Sequence, residues 1–124
     1  MKLLDSNVLT NSAKPEHTSL KELFKEIGVS VSEMTRLEVL GFGELTKAQE
    51  TFFTAVFGVV RVIPVSREVI DKAIVLRRTK KMKVGDAIIA ATAAVNSLEL
   101  ITSNEDDFKH IAEITMTNPI PAVS

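Results

Sequence analysis

Apolar residues along the chain fall into two spacings, alternating and helical, and the switches between them mark out its elements. Leu3-Leu4 is a short apolar segment that runs into Asp5-Ser6-Asn7, residues that favour caps and turns, so it reads as a strand with Asp5 at its C-terminal end. Pro15 opens a segment with Leu20, Leu23, Phe24 and Ile27 at helical spacing, and Gly28 stops it. Val29-Ser30-Val31-Ser32 alternates as a strand does. Met34, Leu37, Val39 and Leu40 return to the helical spacing until Gly41-Phe42-Gly43, which places Glu38 on a helix.

Thr46-Lys47-Ala48-Gln49 has the form of a capping box, and Phe52, Phe53, Val56 and Phe57 give the helix behind it an apolar stripe. Val59 to Ile63 is β-branched and ends at Pro64, as a strand would; Ser66 then caps a helix carrying Val69, Ile70, Ala73, Ile74 and Leu76. Gly85-Asp86 begins a stretch through Val95 that is apolar nearly all round, the pattern of a helix buried against a sheet, with Asp86 in its first turn. Leu98 to Thr102 forms a further strand, Ser103 and Asn104 cap a helix over Glu105 to Ile111, and Ile114 to Thr117 makes a last strand before Pro119 and Pro121. Strands alternating with helices predict an α/β fold with a short, mostly parallel sheet covered by helices on both faces, since parallel strands need crossover connections.

Composition adds limits. A chain of 124 residues with 45% hydrophobic and 25% charged residues suits one compact domain over residues 1–124, with no sign of disorder. The net charge of -1 argues against generic coating of nucleic acid, so a nucleic-acid site must come from a local patch and bound cations. The start MKLLDSN meets an Asp before any long apolar run, which argues against a signal peptide and for a cytoplasmic protein. The longest uncharged stretches, residues 51–60 and 87–98, are well short of the roughly 18 residues of a membrane span, so no membrane association is expected.

Candidate chemistry follows from where the acids fall. In open α/β sheets ligands bind beyond the carboxyl ends of the strands, where strand order reverses. Asp5 and Asn104 follow predicted strands directly, Glu38 projects from the helix after the second strand, and Asp86 opens a helix whose macrodipole favours its ionised form. Crowded carboxylates raise one another's pKa unless a cation neutralises them. The chain has no cysteine, and its two histidines, His17 and His110, have no ligand spacing, so any metal must be held by oxygen. That chemistry points to Mg2+ or Mn2+, as one or two ions, and with a phosphate substrate to activation of water and stabilisation of the departing oxygen. Taken singly, Asp5, Asp86 and Asn104 are explained by capping, Glu38 by a solvated helix face and Asp107 by the macrodipole; their joint placement carries the functional reading. Arg77, Arg78, Lys80, Lys81 and Lys83 put five cations in seven residues beside Asp86, serving either a helix C-terminus or phosphate contacts flanking the metal site.

Four segments together resemble the PIN-domain ribonucleases: Leu3-Leu4-Asp5-Ser6-Asn7-Val8-Leu9, Thr35 to Gly41, Gly85 to Ala93, and Thr102 to Phe108, with a closing Asn118-Pro119. The VapC-type toxins of type II toxin–antitoxin systems match in length. The resemblance implies a three-layer α/β/α fold and a metal-dependent endoribonuclease. Asp5, Glu38 and Asp86 would ligate the ion, Asn104 and Asp107 would share the fourth acidic position, and Ser6, Asn7 and Thr102 would stand behind the ligands. Ser6 stands where many members have Thr and keeps the hydroxyl; Asn104 stands where Asp is common and offers only a neutral oxygen. The resemblance further implies a homodimer and a small antitoxin whose C-terminal segment covers the site, for which Phe42, Phe52, Phe53 and Phe57 offer either a groove or core packing. The alternative is a PIN-like domain that binds RNA or protein with weak or no cleavage. A receiver domain or an aspartyl phosphatase would need acidic residues that this chain lacks; position 7, for example, is Asn.

Overall fold

The structure is a computed structural model that describes residues 1–120; Pro121 lies outside them. Five short strands form one all-parallel sheet: β1 (Lys2–Leu4), β2 (Val29–Ser32), β3 (Arg61–Ile63), β4 (Glu99–Ile101) and β5 (Met116–Thr117). Their order across the sheet is β3-β2-β1-β4-β5, with Lys2 opposite both Val29 and Glu99. The chain therefore builds outward from β1 on one side, through β2 and β3, and then returns to lay β4 and β5 on the other. The strand order reverses at β1/β4, the place where a parallel α/β sheet opens a crevice at its carboxyl edge.

Helices cover both faces, as the alternation of strands and helices predicts. Successive strand residues point to opposite sides. Leu4, Val31 and Ile101 join Val8 and Leu9 of α1 (Ser6–Ser12), Val39 of α2 (Glu33–Leu40), and Phe53 and Val56 of α3 (Lys47–Val59) in one core. Leu3, Ile63 and Leu100 face the other way, against Val69, Ala73 and Leu76 of α4 (Arg67–Thr79) and Ala87 to Ala91 of α5 (Val84–Val95). No helix among the described residues is long and apolar enough to cross a membrane.

The caps expected at Thr46 and Ser66 are made. Thr46 and Gln49 exchange side-chain bonds to each other's backbone in a full capping box. Ser66 accepts from the Val69 amide, and Ser32 from Met34 at the start of α2.

Several boundaries differ from the sequence pattern. Asp5 ends no strand but caps α1, a seven-residue helix too short to show an apolar period. The expected helix from Pro15 to Ile27 is a 3-10 stretch, Pro15–Lys25, broken at His17; Ile27 lies past its end and is fully exposed. Gly28 then turns the chain into β2 with a φ of 84°, and its carbonyl accepts from the Lys2 amide. Val59 ends α3 and Val60 is its C-terminal cap, so β3 is only Arg61–Ile63; a short β-branched run does not by itself tell a helix end from a strand. The helix expected over Glu105 to Ile111 is one 3-10 turn, Glu105–Asp107, and Asn104 precedes it without a side-chain capping bond. Phe108 and Ile111 are buried in the core instead, and that anchoring replaces helical continuity.

Candidate active site

Asp5 is the centre of the carboxyl edge. It follows β1, its amide continues the ladder to the Ile101 carbonyl at 2.9 Å, and its side chain is 5% exposed. Both carboxylate oxygens are held: Oδ1 accepts from the Ser6 amide at 2.8 Å, and Oδ2 from Thr102 Oγ1 at 2.8 Å and Asn7 Nδ2 at 2.9 Å. Thr102 follows β4, so its bond to Asp5 spans the β1/β4 crevice. The Asn7 amide oxygen accepts from the Ser103 amide at 3.3 Å and fastens the same crossing a second time.

Glu38 reaches the edge from α2, where the Ser6 hydroxyl donates to Oε1 at 2.8 Å. Ser6 Oγ also lies 3.2 Å from the buried Thr35 Oγ1. Thr35 is a supporting residue that the sequence reading left unassigned; its position three residues before Glu38, on the same side of α2, was the available signal. Asp86 sits in the first turn of α5. Asp107 ends the 3-10 turn after β4.

Electrostatics shows that these acids share one neighbourhood. Burial pushes the Asp5 carboxyl up from 3.8 to about 6; bonds from Thr102 and Ser6 pull it down, and the charges of Asp86 and Glu38 push it up again. Asp86 is also raised, first by burial, then by Asp107, with Lys83 opposing and Glu38 adding. The macrodipole of α5 was expected to keep Asp86 readily ionised; desolvation and neighbouring carboxylates outweigh it. The charges of Glu38 and Asp86 thus reach Asp5, and those of Glu38 and Asp107 reach Asp86. Asn104 contributes backbone: its amide donates to Thr102 Oγ1 at 3.0 Å and its carbonyl accepts from the Asp107 amide at 3.0 Å.

Carboxylates at one edge, with Asp5 and Asp86 raised and no cysteine or histidine among them, are a donor set for a hard divalent cation. Among the described residues no three acidic or histidine side chains converge closely enough to close on an ion as they stand. What fits an ion such as Mg2+, which keeps several waters, is the chemistry of the donors, carboxylate oxygen without sulfur or imidazole.

The basic run divides. Arg77 and Arg78 end α4, and Arg77 Nε donates to the Met82 carbonyl at 3.1 Å, closing the turn into α5. Arg78, Lys80 and Lys81 are exposed, and Lys83, immediately before α5, bears on Asp86. The phenylalanines divide too. Phe53 is buried, Phe52 and Phe57 pack against the core, and the exposed Phe42 lines a groove of about 300 Å³ with Glu38, Lys14 and Leu45.

Known proteins give the context. A family model described as PIN domain matches residues 2–114. A toxin-antitoxin complex from Klebsiella pneumoniae contains a similar chain, with a TM-score of 0.79 and 30% identity over 98% of this chain and 100% of that one. FitAcB from Neisseria gonorrhoeae is similar with a TM-score of 0.77 and 25% identity over 96% of this chain and 98% of that one. VapBC2 from Rickettsia felis, bound to a DNA fragment from their promoter, shares the fold with a TM-score of 0.77 at 17% identity, over 94% and 97% of the two chains. Among curated proteins none matches. The family match spans all five acid-edge positions, from Asp5 through Asp107, and the chain belongs to the PIN domain family.

Proposed function

We propose that the protein is a metal-dependent endoribonuclease that hydrolyses RNA phosphodiester bonds and serves as the toxin of a toxin–antitoxin pair. The observation that carries this reading is the gathering of carboxylates at one sheet edge, from the residue after β1, from α2, from α5 and from the turn after β4: Ser6 bonds both Asp5 and Glu38, and burial, with the charges of neighbouring acids, raises Asp5 and Asp86. Asp5, Glu38 and Asp86 would hold Mg2+ or Mn2+. Asp107, whose charge reaches Asp86, is favoured over the neutral Asn104 for the fourth position. When bound, the ion supplies Lewis acidity toward the phosphate and a more acidic water.

The chain's own residues then fix the geometry. Thr102 and Asn7 hold Asp5, and Ser6 holds Glu38, so neither carboxylate must be ordered when RNA arrives. Lys83 stands beside Asp86, where a phosphate would enter, and Arg78, Lys80 and Lys81 extend the positive surface away from it. The toxin reading rests on likeness to a chain from a toxin-antitoxin complex, and an antitoxin segment would find the Phe42 groove next to Glu38.

Cleavage of single-stranded RNA in Mn2+ tests the proposal. Asp86→Asn is expected to cut at least about 100-fold more slowly than the unaltered protein, and a chelator to stop cleavage. An unaltered protein that binds RNA but does not cut it with either ion overturns the nuclease reading and favours a binding domain.

A further inference from the structure

Gly85 lies in the first turn of α5, next to Asp86. Alanine is favoured over glycine within a helix, and a positive φ is the usual reason to keep glycine. That reason is absent, because the positive-φ glycine among the described residues is Gly28. Space is the reason that remains. A Cβ built at position 85 would lie 2.8 Å from Glu38 Oε2, 3.2 Å from its carboxyl carbon and 3.4 Å from the Met34 methyl. The first distance is shorter than side-chain carbons tolerate, and the atom it meets is the end of a flexible side chain. Glu38 would therefore move rather than the backbone.

Its other oxygen shows what that movement costs. Glu38 Oε1 accepts from Ser6 Oγ at 2.8 Å, so the carboxylate is seated between a hydroxyl on α1 and the bare backbone of α5. We propose that Gly85 is a positioning residue: its missing side chain lets the Glu38 carboxylate seat against α5, at the acid edge with Asp5 and Asp86. The inference rests on the nuclease reading above, in that it makes the seat of Glu38 a determinant of divalent-cation affinity.

The test uses the full chain as unaltered protein, Gly85→Ala, Glu38→Ala and the double variant. Mn2+ binding is followed by calorimetry without RNA, and the Glu38 carboxyl carbon by NMR in the metal-free protein. Gly85→Ala is expected to shift the Glu38 carboxyl resonance, to weaken Mn2+ binding about tenfold, and to melt no lower than the unaltered protein. In the Glu38→Ala background the same glycine substitution is expected to change Mn2+ affinity little, because the group it displaces is gone. An unmoved Glu38 resonance overturns the proposal, as does an equal loss of affinity in both backgrounds or a lowered melting midpoint that accounts for the loss. Failure of the nuclease reading looks different: the unaltered protein would neither bind Mn2+ nor cut RNA, whatever Gly85→Ala did to the Glu38 resonance.

Discussion

The two ends of β1 and β4 are built on opposite principles. At their amino ends, backbone meets backbone: the Lys2 amide donates to the Gly28 carbonyl and the Glu99 amide to the Met1 carbonyl, both at 3.0 Å. Charge there stays at the surface, in the Lys2–Glu26 ion pair at 2.9 Å with both side chains more than a third exposed. At the carboxyl ends the same two strands bury a carboxylate, surround it with others, and hold it with hydroxyl and amide groups. The amino end is arranged to fold; the carboxyl end concentrates negative charge at a cost in stability, the usual mark of a site kept for a ligand.

That contrast is broken most severely at Asp5. Asp5→Asn is expected to lower RNA cleavage by about 100-fold or more while making the metal-free protein more stable at pH 7. The sign follows from the direction of the shift. A carboxyl raised from 3.8 to about 6 on folding leaves the native state free of this penalty below about pH 4, and the penalty grows as pH rises to about 6 and is full above it. At about 1.4 kcal/mol per pH unit it amounts to roughly 3 kcal/mol, so the variant's advantage should be 1–2 kcal/mol after allowing roughly for the altered bonds to Thr102 and Asn7. Chemical unfolding at pH 7 and pH 4 measures it; an advantage that persists at pH 4 would show that desolvated charge is not its source.

A smaller change sharpens the comparison at the crossing between the strands. Thr102→Val keeps shape but removes the donor to Asp5 Oδ2 and the acceptor for the Asn104 amide. Cleavage should fall about tenfold and stability by about 1–3 kcal/mol. Because the Thr102 bond lowers the Asp5 carboxyl, the pH below which Mn2+ affinity fades, near 6 in the unaltered protein, should move upward. Calorimetric titrations across that range would detect it, and an unchanged profile would separate Thr102 from Asp5.

The smallest effect belongs to the amino end. Lys2→Ala breaks an exposed ion pair and should cost no more than about 1 kcal/mol, with cleavage unchanged within twofold, measured by melting and RNA turnover. A large loss of activity would mean that the two ends are coupled.

Periodicity and caps were enough to place β1, β2, α2, α3, α4 and α5 in order, because each is announced by a local rule: an apolar pair before cap residues for β1, alternation for β2, an apolar stripe bounded by a Ser or Thr cap or a glycine for α2, α3 and α4, and a stretch apolar nearly all round for α5. The same local reading placed Asp5, Glu38 and Asp86 on separate elements and grouped them through a general rule of α/β sheets together with the family resemblance. Local rules failed where burial outweighed propensity. Phe108 and Ile111 anchor a stretch that never becomes a helix, and α1 forms from seven residues because Val8 and Leu9 enter the core.

The sequence by itself determined the inventory: an oxygen-only set of donors, the order of strands and helices, and the caps, all encoded by residue type and near spacing. Only the tertiary structure decided the relations among distant residues. It turned the raised Asp5 carboxyl toward Thr102 nearly a hundred residues away, brought the charge of Asp107 to bear on Asp86, and set Glu38 against the bare backbone of Gly85. Desolvation and close approach depend on what packs around a group, and no local pattern carries that information.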